Sequence, residues 1–263
     1  MRVMVISPHG DDFTIFAGGL IALYAREGHQ IDIVRVTNDE KDSFSGDIPA
    51  TVEANTVEAE EAASILGARR LIHLGYRDCE LDPVDETELR GRLVRLFREH
   101  RPDLVIGFDP WSPVEENPDH LKCARALDDG CWSANYPHFY PEQLRGGLQR
   151  HCIARRAYFS RGLQGVNRFV DIAPVLDIKI HAMQAHRTMA RAIMDNLKDL
   201  VAAVDLKVPA LAAIADPTQF APEFIKARAR RIGSRGEMEY AEAFRFEEFD
   251  EKNVLIEHFL SLA

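Results

Sequence analysis

The sequence predicts an α/β fold: a Rossmann-like open sheet, mostly parallel, with helices on both faces and a C-terminal α/β elaboration. In the first half, short aliphatic or β-branched runs alternate with longer segments whose apolar residues recur at helical spacing. Such strand–helix–strand repetition gives right-handed βαβ units and parallel strands. The 263 residues are enough for one substantial core. We therefore predict a single domain over residues 1–263, with a core of about 1–135 and the elaboration over about 136–263.

Four strands are predicted in the first half. They are RVMVIS, IDIVRVT, RLIHL and DLVIGF, at residues 2–7, 31–37, 70–74 and 103–108. The first two helical segments stop at Gly28 and Gly67, and the third ends before Pro102, as helices commonly do. After Pro110 the periodicity weakens. It still predicts a helix over about 121–134, strands within 153–160 and 167–172, a long helix over 174–200 and another across 222–233.

Composition and charge limit the class of partner. The net charge of -10 and the pI near 5.5 argue against a nucleic-acid partner, because phosphate backbones are bound by clustered lysine and arginine. No signal peptide and no run of roughly 20 apolar residues is recognisable. The four cysteines show no CxxC spacing, which is typical of reduced thiols. We expect a cytoplasmic protein that acts on a small molecule, without a nucleic-acid or membrane partner.

Two polar clusters are expected to meet at one edge of the sheet. Open parallel sheets bind ligands beyond the carboxyl ends of their strands, where the strand order reverses. In the common order 3-2-1-4, the first and fourth strands are neighbours at that reversal. The loop after the first strand, within SPHGDDFTIFAGG, holds His9, Asp11 and Asp12. The loop after the fourth strand ends in NPDH at residues 117–120, so the two loops should face each other.

The residue types in these loops fit a catalytic zinc site. Such sites typically use three protein ligands and leave a fourth position open. His9 and Asp12 lie three residues apart at the entrance to a helix, so both can face one ion, and His120 can supply the third ligand. Asp11 is then free to take a proton from a water whose pKa zinc lowers to about 7.

Two alternatives apply to the same residues. Each cluster taken singly is also a common turn or helix cap. Two histidines and one carboxylate also suit Fe(II), which oxygen uptake by iron-loaded protein would reveal.

These residues resemble the LmbE-like (PIG-L) family of zinc-dependent N-acetyl-sugar deacetylases. Members carry a PHPDD box after the first strand, here PHGDD at 8–12, and an HPDH box after the fourth, here NPDH at 117–120. Weaker matches follow in the expected order: GYRDCELD at 75–82, VDIAPVLDIKIHAMQAH at 170–186 and EYAEAFR at 239–245. The resemblance therefore spans nearly the whole chain.

The resemblance implies a reaction and a set of roles. Family members hydrolyse an acetamide, usually on a glucosamine unit, and release acetate and a free amine. By this resemblance His9, Asp12 and His120 would hold Zn²⁺, and Asp11 would be the general base. The substrate would be a small N-acylated amino sugar or its conjugate. Relatives often form trimers or hexamers, so a homo-oligomer is compatible with the family.

Two further residues are candidates for substrate contact. Asp78 lies where relatives contact a sugar hydroxyl, and a turn aspartate is an equally good interpretation. His186 falls where relatives also carry a histidine and could reach the site as a spare acid; a packed or surface histidine on a long amphipathic helix is the alternative. The acidic segment TNDEKD at 37–42 could line the crevice, although a solvated loop is the simpler interpretation.

Three positions depart from the family pattern. Gly10 replaces a proline and is expected to loosen the ligand loop, and Phe13 replaces a glutamate that many members carry. Asn117 replaces the first histidine of HPDH, which is thought to polarise the oxyanion or protonate the leaving amine. Asparagine can donate a hydrogen bond to an oxyanion, a role worth roughly 3–4 kcal/mol elsewhere, but it cannot transfer a proton. Asp11 would then have to deliver the proton to the amine.

The asparagine also keeps a second hypothesis open, namely a metal-binding protein of the same fold without amidase turnover. Restoring histidine at position 117 separates the two hypotheses. New activity where none existed would indicate a binding protein, whereas a changed rate would indicate a hydrolase.

Overall fold

One mixed sheet forms the centre of the fold. The strands of the computed structural model, which describes residues 1–44, 46–248 and 254–262, are β1 (Arg2–Ser7), β2 (Gln30–Thr37), β3 (Arg70–Tyr76), β4 (Leu104–Phe108), β5 (Arg155–Phe159), β6 (Arg168–Asp171) and β7 (Ala241–Glu248). Their order is β3-β2-β1-β4-β5-β7-β6. β1 to β5 are parallel, and β7 pairs antiparallel with β5 and β6. The predicted order 3-2-1-4 is confirmed; β7 is a strand that the sequence analysis did not predict.

Helices cover both faces of the sheet, as predicted. They are α1 (Asp12–Arg26), α2 (Ile48–Ile65), α3 (Glu86–His100), α4 (Pro118–Ser133), α5 (Pro141–Arg145), α6 (Leu176–Ala185), α7 (Arg187–Ala203), α8 (Pro209–Ala213), α9 (Pro217–Gly233) and α10 (Val254–Ser261), with a 3₁₀ turn at Ala173–Val175. Apolar residues of α1, α2, α6 and α9 form one buried cluster, and those of α3 and α4 form a second. Among the helices that the structure describes, none has the length and hydropathy that crossing a bilayer requires.

The sheet continues from the first half of the chain into the second, because β5 pairs with β4 on one side and β7 on the other. This continuity supports a single domain over residues 1–263. The boundary at about residue 135 between core and elaboration stays a prediction.

The single long helix expected over 174–200 is wrong. The chain forms two helices, α6 and α7, and turns between them at His186, whose ψ of 64° is not helical. α6 packs against α1, α2 and α9, while α7 packs against α2 and α9. No glycine or proline marks the turn between them, so the local sequence did not reveal the change of direction.

The middle of α1 is held by a buried ion pair from two distant elements. Glu242 on β7 accepts the backbone N–H groups of Gly19 and Leu20 at 2.7 and 2.8 Å. Lys179 on α6 donates to the same carboxylate at 2.5 Å and to the Ile15 carbonyl at 2.8 Å. A Cβ at Gly19 would lie 2.4 Å from a side-chain carbon of Ile172, so only glycine allows this approach. These contacts fix α1, and its first turn carries part of the candidate site.

Candidate metal centre

Two helix starts face each other beyond the β1 and β4 ends. The Ser7 hydroxyl donates to the His9 carbonyl at 2.7 Å and accepts the Phe13 N–H at 3.0 Å, which turns the chain directly from β1 into α1. At α4, Asn117 is the N-cap, and its side-chain oxygen accepts the Asp119 N–H at 2.9 Å. The first turn of each helix therefore presents its polar side chains to the other.

Three side-chain atoms converge in the space between these helix starts. His9 Nδ1 lies 3.1 Å from Asp12 Oδ2 and 3.1 Å from His120 Nε2, and His120 Nε2 lies 3.3 Å from Asp12 Oδ2. All three residues are buried. Tetrahedral zinc, with N and O ligands at about 2.0–2.1 Å, requires ligand atoms roughly 3.3 Å apart. The three atoms therefore fit a small divalent cation with one position left for another ligand.

Carboxylates face the outer nitrogens of both imidazoles. His9 Nε2 lies 3.2 Å from Asp78 Oδ1, and His120 Nδ1 lies 3.0 Å from Glu115 Oε1. In metal sites such carboxylates fix the tautomer and orientation of the ligating ring. The arrangement directs His9 Nδ1 and His120 Nε2 toward Asp12. Glu115 was missed at the sequence level, because nothing in the pair Glu115–Glu116 indicates which carboxylate faces inward.

Asp78, a predicted substrate contact, lies behind His9. Its side chain is 1% exposed, and its Oδ2 accepts the Lys41 N–H at 2.9 Å. A carboxylate enclosed in this way favours a positioning role. The sugar contact stays a prediction that the observed position does not support.

Asp119 holds the loop that carries Asp78. Its two oxygens accept the N–H groups of Cys79 at 2.7 Å and Leu81 at 3.1 Å, and Oδ2 lies 3.6 Å from His9 Nε2. Asp119 is the third residue of the NPDH box, and no role was predicted for it. Local sequence explains an acidic residue in the first turn of a helix, but only the fold brings the loop after β3 to it.

A second group of potential ligands consists of His9, Asp78, Cys79 and Asp119. Its carboxylates accept backbone N–H groups, as Asp12 Oδ2 accepts that of His9 at 2.9 Å, so these hydrogen bonds do not separate the two groups. Desolvation and the nearby Asp78 carboxylate raise the pKa of the Cys79 thiol to about 11, which favours the protonated, poorly ligating form. The group of His9, Asp12 and His120 is therefore the better candidate.

The candidate ligands favour a positive charge at their centre. Burial opposes charge on His9, but the carboxylates of Asp119 and Asp12 outweigh it and raise the pKa of His9 well above its usual value. At His120, burial lowers the pKa, but attraction to Asp12 outweighs burial and raises the pKa above its usual value. Burial alone would raise the pKa of Asp12, yet attraction to His120 holds that pKa well below its usual range. Protons or a divalent cation can supply this charge.

Asp11 directly precedes the candidate ligand Asp12, and its carboxyl has no hydrogen bond or ion pair with the residues that the structure describes. It occupies the N-cap position of α1 but makes no capping hydrogen bond with its side chain. Burial, and then the negative charges of Asp12 and Asp42, raise the pKa of Asp11 well above its usual value. A carboxylate of raised pKa accepts protons more readily near neutral pH. The general-base role stays a prediction, and these features favour it.

Asn117 is partly exposed at the edge of the site. Its side-chain oxygen is used in capping α4. Within the described residues its side-chain NH₂ has no hydrogen-bond acceptor, so that group is free to donate to a ligand. The predicted catalytic role of Asn117 stays untested.

The segment 37–42 is not the solvated loop that was expected. Asp39 is 1% exposed, pairs with Arg35 Nε at 2.8 Å and accepts the Gly10 N–H at 2.9 Å. The buried Arg35 guanidinium supplies the counter-charge, which makes burial of the acidic segment tolerable. The segment therefore packs directly behind the ligand loop.

Gly10 ties the ligand loop down instead of loosening it. A proline at this position has no N–H for Asp39. A Cβ would also lie 2.6 Å from Asp39 Oδ2. The expected loosening is therefore wrong, because Asp39 supplies a restraint that the local sequence does not show.

Gly10→Pro is expected to lower the free energy of unfolding by about 1–3 kcal/mol, because the buried Asp39 carboxylate loses the Gly10 N–H and, of these two partners, keeps only its pairing with Arg35. Urea unfolding measures this change, and zinc content measured alongside shows whether the ligand loop still binds. Gly10→Ala is the matched control, since it adds the Cβ but keeps the N–H, and it should lose less. A proline variant as stable as the wild type would contradict this account.

His186, the other predicted substrate contact, is a packed histidine. Its Nε2 lies 3.0 Å from Thr14 Oγ1, and its ring meets the Phe13 ring edge-on at 5.9 Å. Burial, with smaller effects from Arg35 and Arg187, lowers the pKa of His186 to about 3. A neutral, enclosed imidazole favours the structural alternative. Its role in substrate binding stays a prediction, and Phe13 is accounted for as its packing partner.

His186 is expected to make the protein acid-sensitive. Its folded-state pKa of about 3 lies below the unfolded value of about 6.5, so the unfolded chain binds the proton first and stability falls as pH drops through this window. Between pH 7 and pH 4, the free energy of unfolding should fall by about 3 kcal/mol more in the wild type than in His186→Gln. The exposed His138→Gln should show no comparable trend. Parallel pH curves for wild type and His186→Gln would contradict the assignment.

Known proteins are similar to this chain in sequence. The PIG-L family, described as GlcNAc-PI de-N-acetylase, matches residues 4–130. A diacetylchitobiose deacetylase of Thermococcus kodakarensis is 29% identical over 189 residues, which cover 71% of this chain and 69% of that protein. A probable N-acetyl-alpha-D-glucosaminyl L-malate deacetylase 2 of Bacillus subtilis is 27% identical over 204 residues, covering 75% and 87%.

A solved structure shows the same fold. It is the N,N'-diacetylchitobiose deacetylase from Pyrococcus horikoshii, complexed with its inhibitor MPG, which superposes with a TM-score of 0.78 at 24% identity and covers 96% of this chain and 86% of that one. The fold, the order of the sequence boxes and the family match agree. Over residues 4–130 the chain is similar to the PIG-L (LmbE-like) family.

Proposed function

We propose that this protein is a zinc-dependent hydrolase that removes an acyl group, most simply acetyl, from the amide nitrogen of an amino sugar or amino-sugar conjugate. The observation that carries the proposal is the convergence of His9 Nδ1, Asp12 Oδ2 and His120 Nε2 within 3.3 Å of one another. The curated relatives are named as deacetylases of diacetylchitobiose and of N-acetylglucosaminyl malate, which supports the amide bond of an acetylated amino sugar as the target.

The reaction adds water across the amide: a C–O bond forms at the carbonyl carbon, the C–N bond breaks, and acetate and a free amine leave. His9, Asp12 and His120 would hold Zn²⁺, which supplies Lewis acidity and lowers the pKa of water. Asp11 accepts the proton of the attacking water, and its raised pKa favours that step. The same proton then passes from Asp11 to the leaving nitrogen, since Asn117 cannot transfer one.

Asn117 and the outer carboxylates have supporting roles in this proposal. The Asn117 side-chain NH₂ donates to the developing oxyanion. Asp78 and Glu115 position the imidazoles of His9 and His120 through their outer nitrogens. In this proposal the buried carboxylates orient the candidate ligands, and Asn117 at the edge of the site contacts the substrate.

We also propose a small-molecule substrate, no nucleic-acid or membrane partner, and a cytoplasmic location. The net charge of -10 supports the absence of a nucleic-acid partner. The cysteines Cys79, Cys123, Cys131 and Cys152 are free thiols, which suits a reducing compartment. A homo-oligomer stays compatible with the family.

A panel of N-acetylated amino sugars, incubated with metal-depleted protein before and after addition of zinc, tests the function. We expect zinc-dependent release of acetate and of a primary amine in equal amounts. Iron-loaded protein provides the second arm, in which oxygen uptake would indicate iron chemistry instead. Activity that is indifferent to metal depletion, or binding of zinc without turnover of any panel member, would contradict the proposal.

A further inference from the structure

A cavity of about 900 Å³ opens beside the candidate metal centre, at the carboxyl end of β5. One face of α9 forms its long wall, and α7, α8 and the segment after β5 close it. The cavity contacts the site through Arg161, whose Nε donates to Glu115 Oε1 at 2.9 Å. The same Glu115 oxygen lies 3.0 Å from His120 Nδ1. The cavity is therefore one residue layer away from a candidate metal ligand.

The wall of this cavity is apolar in one part and cationic in another. The apolar part includes the rings of Phe159, Phe220 and Phe224. The cationic part consists of four arginines, Arg161, Arg228, Arg231 and Arg235. The lining has one acidic residue, Glu223. The chain as a whole carries a net charge of -10, so this local excess of positive charge opposes the overall balance. Such a concentration attracts anions.

Arg228 is the central cation of the wall. Its guanidinium lies over the Phe16 ring at 4.3 Å, and among the described residues it donates a long hydrogen bond of 3.5 Å to the Ser160 carbonyl. No carboxylate of the described residues lies within salt-bridge distance of it. Burial, and then the nearby positive charge of Arg161, lower the pKa of Arg228 to about 10. An anion at this point would compensate the charge of this half-buried guanidinium.

We infer that this cavity binds the aglycone of the substrate, and that the aglycone joins an anionic group to an apolar group. The inference rests on the proposed deacetylase function. Arg228 and Arg231 would bind the anion, because a guanidinium pairs with carboxylate or phosphate through two parallel hydrogen bonds. The phenylalanine rings would cover the apolar group. Arg161 already pairs with Glu115, but a neutral second sugar would give Arg228 no anionic partner, so the charge pattern selects against it.

Matched aryl glycosides test the inference directly. Phenyl, 4-carboxyphenyl and 4-phosphophenyl glycosides of N-acetylglucosamine differ only in the anion, and the last two separate carboxylate from phosphate recognition. We expect kcat/KM for one or both anionic glycosides to exceed that of the phenyl glycoside by about 10- to 100-fold. Arg228→Met and, as a rim variant less prone to misfolding, Arg231→Met should each reduce this ratio by about tenfold.

The control is Arg95→Met, on the exposed surface of α3 on the opposite face of the sheet. It should keep the wild-type ratio. Equal kcat/KM values for the three glycosides, or a preference that survives both cavity variants, would overturn the inference while acetate release left the proposed function intact. Failure to release acetate from any glycoside would count against the function itself. In that case calorimetry measures the affinity of the three deacetylated products directly. If the 4-carboxyphenyl and 4-phosphophenyl products bind no more tightly than the phenyl product, the cavity assignment is overturned independently of turnover.

Discussion

Asp11→Asn is expected to lower kcat by about 10²- to 10⁴-fold while the protein keeps its bound zinc. The amide has nearly the shape of the carboxyl, so packing at the start of α1 should be preserved. It cannot accept the proton of the attacking water. Position 117 of the NPDH box is asparagine and His120 is assigned as a ligand, so the box offers no free histidine in its place. Steady-state kinetics and elemental analysis on the same preparation measure both quantities.

The matched control for this variant is Asp42→Asn. Burial, more than any nearby charge, raises the pKa of Asp42 to about 7, and its carboxyl lies close enough to raise the pKa of Asp11. If Asp11 alone is the base, Asp42→Asn should change kcat by less than about tenfold. An equal loss in the two variants would show that the acidic cluster as a whole, and not Asp11, sets the rate.

His120→Gln is expected to abolish zinc-dependent activity and to weaken zinc binding by at least about 100-fold. The side chain is buried and stacks on Phe108 at 3.9 Å, so glutamine, which fills more of the space than alanine, limits the cavity left behind. Without the second imidazole, His9 and Asp12 provide two ligands, which is fewer than a catalytic zinc site uses. Zinc titration measures the affinity.

Thermal unfolding provides a readout that does not depend on turnover. A ligand that binds the folded state alone stabilises it in proportion to the logarithm of its concentration. Zinc should therefore raise the Tm of the wild type and leave that of His120→Gln nearly unchanged. Glu115→Gln is the graded control, with an expected 10- to 100-fold loss of affinity, because it removes the charge behind His120 Nδ1. Wild-type zinc affinity in His120→Gln would contradict the ligand assignment.

The sequence was sufficient to predict the central strands, their order and the two loops that form the site. The strands and helices could be predicted from local patterns, because β-branched runs indicate strands and helical spacing indicates the helices between them. The strand order followed from a general rule, since right-handed crossovers restrict how parallel strands can be arranged. The first and fourth strands were expected to be neighbours, and β1 pairs with β4 in the structure. His9, Asp12 and His120 could therefore be assigned to one crevice before any distance between them was known.

Tertiary structure decided which partner each buried carboxylate has. Asp39 accepts the Gly10 N–H, and Glu242 accepts N–H groups in the middle of α1, both across a long separation in sequence. Glu115 faces His120 because the loop before α4 folds back on the helix. Hydrogen bonds of this kind depend on the packing of neighbouring elements, and the spacing of residue types along the chain carries no record of it.

The same distinction holds for His186 and the arginine-lined cavity. No glycine or proline interrupts the chain at His186, so the separate packing of α6 and α7 was needed to reveal the turn there. The sequence by itself determined the sheet, its crevice and the residue types that enter it, because local patterns and chain topology are enough for those. Only the tertiary structure decided which side chains lie in contact and which cavity lies beside the site. Contacts of this kind depend on how helices and strands pack in three dimensions.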